Sequence, residues 1–165
     1  MIFLTLGTQL PFDRLVRAVD EWYMRSDKRH KIVAQIPCVE PSYYKPKSYS
    51  WSDWVPPDEY NNIFQNSDVV VSHAGMGTII TALRFRKPLI IMPRNKDMLE
   101  HRNNHQIATA DKFSGRRGIS IANSEYDVGD FLDRVDDLAA QKPDGIEEMA
   151  KAEFVNKIRS FIIDC

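Results

Sequence analysis

Cysteine is nearly absent. The 165-residue chain has two, Cys38 and Cys165. That is too few for a disulfide framework, and no Cys-X-X-Cys pair or neighbouring histidine suggests a metal. This usage predicts a reduced cytosolic protein with one partly buried and one terminal thiol. No apolar run approaches the ~18–20 residues that a membrane-spanning helix needs. There is no basic excess either. Lys and Arg number 22 against 23 Asp and Glu, a formal net charge of −1, which excludes a bulk nucleic-acid binder. The opening Met1-Ile2-Phe3-Leu4-Thr5-Leu6-Gly7 lacks the basic n-region and small-residue cleavage site of a signal peptide. No fixed-period repeat, low-complexity segment or internal linker is present. With 43% hydrophobic and 27% charged residues, the expectation is one globular domain over residues 1–165.

What is present alternates between strand and helix. Ile2–Leu6, Lys31–Ile36, Asp68–Ser72, Leu89–Met92 and Gly118–Ala122 read as buried strands, with a shorter one near Tyr49–Trp51. Helices are expected from Pro11, with Leu15, Val16, Val19 and Trp22 on one core-facing side, and from Pro57. Others are expected over Gly75–Arg86, Asn103–Phe113, Asp127–Ala140 and Ile146–Ile162. The strands are apolar throughout rather than alternating, which suits a parallel sheet covered by helices on both faces. Ligands of such α/β sheets bind at the carboxyl ends of the strands, at the topological switch point.

Three strand ends carry unusual residues. Ser72-His73-Ala74-Gly75-Met76-Gly77-Thr78 runs from a valine strand through a glycine turn into a helix. Glycine there allows positive φ and close backbone approach, and a helix N-terminus presents free N–H groups to a phosphate. The lysine of a Walker loop is missing, so the segment suggests diphosphate binding without triphosphate hydrolysis. Gly7-Thr8-Gln9 is a second glycine turn, in which Thr8 either meets a phosphate or caps the next helix. The third is Arg94 to Gln106. His101 and His105 stand four apart, but only Glu100 joins them, short of the three or four ligands zinc needs. No metal is expected. Glu100, His101, Asn104, His105 and Gln106 suit hydroxyl recognition better.

Elsewhere, Arg84, Arg86 and Lys87 complement the dipole at a helix end. Tyr43, Tyr44, Trp51 and Trp54 lie in a polar, proline-bearing loop and are candidates for a partner or membrane contact.

These segments, with Phe12-Asp13-Arg14-Leu15, Lys87-Pro88-Leu89-Ile90-Ile91-Met92-Pro93 and Asn104-His105-Gln106-Ile107-Ala108-Thr109-Ala110, carry a resemblance. The chain resembles the C-terminal, donor-binding half of a GT-B glycosyltransferase of family 28, from Ile2 to about Phe113. Its length is similar to that of the small catalytic subunits of two-part sugar transferases. The stretch Gly77–Arg84 resembles bacterial exopolysaccharide transferases of the PssE type. The resemblance implies a metal-independent, inverting transfer from a UDP-sugar to a lipid-diphosphate-linked sugar, with no cofactor. It implies that Thr8 and the backbone of Gly75, Met76, Gly77 and Thr78 sit by the diphosphate and that His105 and Gln106 contact the donor sugar hydroxyls. Gly7, Gln9, His73, Ala74, Glu100, His101 and Asn104 are expected to complete the donor-binding set. Many family members bind the ribose through a glutamate one helical turn after the glycine loop, where this chain has Thr81.

The acceptor-side base is implied to lie in the other half of the fold. The chain is therefore expected to work with a membrane-anchored, acceptor-binding partner at the cytoplasmic membrane face, and to self-associate when isolated. The alternative is a nucleotide-sugar-binding regulatory or adaptor subunit without turnover. An epimerase of GT-B architecture is disfavoured, because such enzymes carry both halves in one chain.

Overall fold

The computed structural model describes residues 1–8, 10–38, 43–141 and 143–146. Its elements run β1 (Ile2–Thr5), α1 (Asp13–Arg25), β2 (Ile32–Gln35), β3 (Ser50–Ser52), α2 (Pro57–Asn66), β4 (Val69–His73), α3 (Met76–Phe85), β5 (Leu89–Met92), α4 (His105–Phe113), β6 (Ile119–Ile121), α5 (Glu125–Asp133) and α6 (Val135–Ala140). The strands form one sheet in the order β3-β2-β1-β4-β5-β6. Every neighbouring pair is parallel. The chain winds outward from β1 to β3, crosses to β4, and winds out the other way. The switch point therefore lies between β1 and β4.

Alternate strand residues face opposite layers, and the strands are apolar because both layers are covered. Ile2, Leu4, Val69, Val71, Ile90 and Met92 pack with Leu15, Val16, Val19 and Trp22 of α1 and with Val128, Leu132, Val135 and Leu138 of α5 and α6. Phe3, Val70, Leu89 and Ile91 face Phe64, Ile79, Leu83 and Ala110 of α2, α3 and α4. Burying one such side chain stabilises the fold by ~1.5–3 kcal/mol. Phe3 also meets the rings of Tyr60 and Phe64 edge-on, at centroid distances of 5.2 and 5.9 Å.

Several local expectations are corrected. Pro11 stands outside α1, which starts at Asp13 behind the buried Phe12. The expected helix Asp127–Ala140 is two helices, broken at Arg134 (φ −109°, ψ 26°). No Gly or Pro marks that break. It lies beside Asp133, which accepts the Trp22 indole N–H at 2.7 Å, and the short second helix turns Val135 and Leu138 into the core. Helix α4 starts at His105 rather than Asn103, preceded by a 3₁₀ turn at Lys96–Met98 that the sequence pattern did not reveal. The Cys38 thiol is exposed rather than partly buried. Cys165 and the expected helix Ile146–Ile162 lie outside the described residues.

One buried acid organises the loop before β3. Asp20, on the inner side of α1, is fully enclosed. It accepts the Tyr44 hydroxyl at 2.7 Å, the amides of Lys47 and Ser48 at 3.1 and 3.0 Å, and the Ser48 hydroxyl. Burial pushes its pKa up, but the bonds from Ser48, Tyr44 and the two amides prevail and hold it below the ordinary value. Tyr44, Tyr49 and Trp51 are thereby laid against the core, and only Trp54 of that aromatic group is well exposed, at 59%.

Candidate functional site

The carboxyl ends of β1, β4 and β5 lie side by side at the switch point. Ser72 fastens two of them, its hydroxyl donating to the Thr5 carbonyl at 2.6 Å. Between these ends lies a cleft of about 190 Å³ lined by Leu6, Gly7, Thr8, Leu10, His73, Arg94, His101 and Gln106. A roomier hollow of about 460 Å³ opens by Met1, Lys31 and Ser50, against α2. It runs along β2 and β3 at the edge of the sheet, away from the switch point where this sheet class binds ligands.

Gly7 has φ +73°, a conformation that glycine adopts without strain, and it turns the chain out of β1. Thr8 is exposed at the mouth and does not cap α1, which has no side-chain cap. Gln9 lies outside the described residues. The β4 turn works differently from expectation. Gly75 is extended (φ −90°), not left-handed. It is small because a Cβ there would stand 2.3 Å from Nε2 of His73. The imidazole fills the space beside the glycine, with Nδ1 3.3 Å from the Ser72 hydroxyl. Gly77 is exposed, and a Cβ there would meet nothing within 4 Å.

Helix α3 begins at Met76 with no side-chain cap and no acid in its first turn. The amides of Met76, Gly77 and Thr78 therefore precede the intrahelical ladder and face outward with the positive end of the dipole. The expected Thr78 hydroxyl is turned inward instead, 7% exposed and beside Tyr60. Only its backbone can meet a ligand. Ala74 is buried, Met76 is exposed, and the Thr81 hydroxyl donates back to the Gly77 carbonyl at 2.8 Å, which leaves its lone pairs for a donor outside.

The β5–α4 loop separates the remaining candidates. Glu100 receives the Arg14 guanidinium in a two-pronged pair at 2.7 and 2.9 Å, and also the Asn95 amide at 2.9 Å. Both its oxygens are engaged, so it acts as a brace. The Asn104 side chain accepts the Lys96 amide at 2.8 Å and holds the loop. Gln106 is 4% exposed and its oxygen accepts the Arg94 amide at 3.1 Å, leaving its NH₂ as the free end. His101 and His105 stack edge to face, with centroids 4.5 Å apart. His105 is exposed, at the start of α4. Among the described residues, no three His, Cys, Asp or Glu side chains converge as a metal site would require.

Arg94 is the site residue that the sequence reading passed over. It is 2% exposed, and its Nη2 donates to the carbonyls of Leu10 (2.7 Å) and Leu6 (3.4 Å). Its charge lies 5.1 Å over the Phe12 ring. Burial lowers its pKa to about 10, against the pull of Glu100. Burial, then the charges of Arg94 and His101, push His73 down to about 4, so its ring is neutral at pH 7. The signal in sequence was positional: Arg94 follows the proline that ends β5 at a ligand-binding strand end.

A parallel sheet of this order with a polar cleft at its switch point is a Rossmann-like fold, and its structural neighbours are GT-B glycosyltransferases. Spinosyn forosaminyltransferase SpnP superimposes with a TM-score of 0.65 at 17% identity, over 98% of this chain and 43% of that one. The chain belongs to the glycosyltransferase family 28 C-terminal domain family, whose model matches residues 1–163. Curated relatives are UDP-N-acetylglucosamine transferase subunits ALG13. That of Debaryomyces hansenii is 44% identical over 55 residues, 33% of this chain and 24% of that protein. That of Homo sapiens is 30% identical over 115 residues, 66% of this chain and 10% of that protein. The chain thus spans only a minor part of both. A solution structure of ALG13 shares the fold with a TM-score of 0.55 at 22% identity, over 94% and 93% of the two chains.

Proposed function

We propose that this chain binds the UDP-sugar donor of an inverting glycosyltransferase that transfers to a lipid-diphosphate-linked acceptor, and that a partner subunit supplies the acceptor half. The observation that carries the reading is the switch-point cleft, where His73 lies against the Gly7 turn on one side and against Gly75, just before the uncapped, acid-free start of α3, on the other. A diphosphate suits that end of a helix. His105 and the free NH₂ of Gln106 are then the groups for sugar hydroxyls, and Thr81 for the ribose.

The site also favours a shared reaction. Removing a proton from an acceptor hydroxyl calls for a base whose pKa is near the working pH. Glu100 is held by Arg14, and His73 has a pKa of about 4. A base from the partner meets the need. Relatives named as transferase subunits support the same division, and a setting in exopolysaccharide or capsule assembly is proposed from the resemblance of Gly77–Arg84 alone. Among the described residues no helix is long and apolar enough to cross a membrane. Attachment at the cytoplasmic face is accordingly assigned to the partner.

Titration calorimetry with UDP tests the donor site. Wild-type chain should bind it, and Gly77→Val should fold normally but bind at least ~10-fold more weakly, because the added side chain enters only the ligand's space. Transfer from UDP-glucose, UDP-galactose, UDP-glucuronate or UDP-N-acetylglucosamine to a lipid-linked acceptor should appear only when chain and partner are mixed. His105→Ala should lower that transfer more than UDP affinity. A folded wild type without affinity for UDP overturns the donor reading. Binding without transfer by the pair favours an adaptor subunit, and full transfer by the chain alone removes the need for a partner.

A further inference from the structure

Arg94 is a buried cation. Among the described residues no carboxylate forms an ion pair with it, and its Nε–H has no hydrogen-bond partner. Glu100, the acid whose charge it feels, is already bound by Arg14. A guanidinium withdrawn from water without a counter-ion destabilises the fold, and a buried N–H left unpaired adds to that. Its two carbonyl bonds, both from Nη2, tie it to the β1–α1 loop, so it is held in place rather than left to swing outward.

Its position gives this arrangement a use. Arg94 lines the same cleft as Gly7, Thr8 and His73, and His73 in turn touches Gly75, the residue before α3. The neutral imidazole next to it adds no competing positive charge. A planar guanidinium with unused donors matches the paired oxygens of a phosphate better than any other side chain.

We propose that Arg94 is the cation that neutralises the diphosphate in this cleft, so that the anion lies between the guanidinium and the first amides of α3. The assignment of the anion to the donor rests on the function proposed above. In the reaction the acceptor hydroxyl oxygen bonds to the anomeric carbon and gives its proton to the partner's base, while the bond from that carbon to the diphosphate oxygen breaks with its electron pair on the diphosphate, and the charge gathering there is the one Arg94 meets.

The test uses the intact chain. The Nε–H resonance of Arg94 is followed in wild-type protein as inorganic pyrophosphate is added, and UDP, UMP and uridine are titrated into wild type, Arg94→Lys and Arg94→Met. Pyrophosphate should shift the Arg94 resonance. UDP affinity should fall ~10- to 100-fold in Arg94→Met and less in Arg94→Lys, while uridine affinity is unchanged, as expected for loss of a charge-assisted hydrogen bond. Equal UDP affinity in wild type and folded Arg94→Met overturns the proposal and leaves the donor reading standing. Should Arg94→Met fail to fold, the wild-type resonance and Arg94→Lys decide alone. If pyrophosphate moves the resonance but UDP binds no tighter than pyrophosphate, Arg94 keeps its role and the nucleotide reading falls. An Arg94 resonance unmoved by either probe defeats the proposal.

Discussion

Replacing Gly75 by alanine isolates the contact that shapes the β4 turn. The backbone at Gly75 (φ −90°, ψ 131°) accepts any residue, so alanine adds no dihedral strain. It would by itself stabilise the chain by ~0.4–1 kcal/mol through the unfolded state. Against this, the new Cβ falls 2.3 Å from Nε2 and 2.9 Å from Cε1 of His73. That ring is largely enclosed and set beside Ser72, so it cannot swing aside freely. Overpacking of this kind costs ~1–3 kcal/mol. Gly75→Ala should therefore destabilise by about 1–2 kcal/mol net. In a His73→Ala background the obstacle is gone, and the same change should stabilise by ~0.4–1 kcal/mol. The substitution reverses sign, with a coupling energy of about 1–3 kcal/mol. Urea unfolding of the four proteins reads this directly, provided the slopes agree. If Gly75→Ala has the same effect in both backgrounds, His73 is not what requires the glycine.

Glu100→Ala should cost ~2–3 kcal/mol in urea unfolding, because it strands the half-buried Arg14 guanidinium and the Asn95 amide, and Glu100→Gln about half as much. A loss below ~0.5 kcal/mol in Glu100→Ala would mark the pair as an ordinary surface bridge. His73 makes stability pH-dependent. Its folded pKa of about 4 lies below the unfolded value of ~6.5, so its contribution is whole above pH ~6.5 and is lost as pH falls towards about 4. His73→Asn should remove that slope, and an unchanged profile between those pH values would contradict the burial assigned to the ring.

The sheet was legible because its strands are short valine and isoleucine runs bounded by glycine and proline, and that pattern records burial on both faces. The same pattern located the strand ends and so the site. What it could not carry was the direction of a side chain. Thr78 reads as a hydroxyl for phosphate, yet its helical position turns it towards Tyr60. Glu100 reads as a free carboxylate, yet its partner Arg14 lies 86 residues away in sequence. Arg94 reads as one more surface charge in a polar loop, since nothing local says that Leu10 and Phe12 will close over it. Gly75 was rightly marked as a position for glycine, but for its conformation rather than for the ring of His73. The break at Arg134 leaves no local mark at all.

The carboxylate of Asp20 makes the outer edge of the sheet a separable leaf. Strand β3 has three residues and pairs on one side only, with β2. The loop that delivers it is fastened to α1 chiefly through the Asp20 carboxylate, with the Tyr49 hydroxyl on the Val16 carbonyl and Arg17 over the Tyr44 ring beside it. Proton uptake by that acid, below the usual carboxylate range, weakens every bond to its carboxylate together. The edge strand and its tyrosines should then exchange their amide hydrogens as one unit, while the other five strands, with β1, β4 and β5 at the cleft among them, keep their protection.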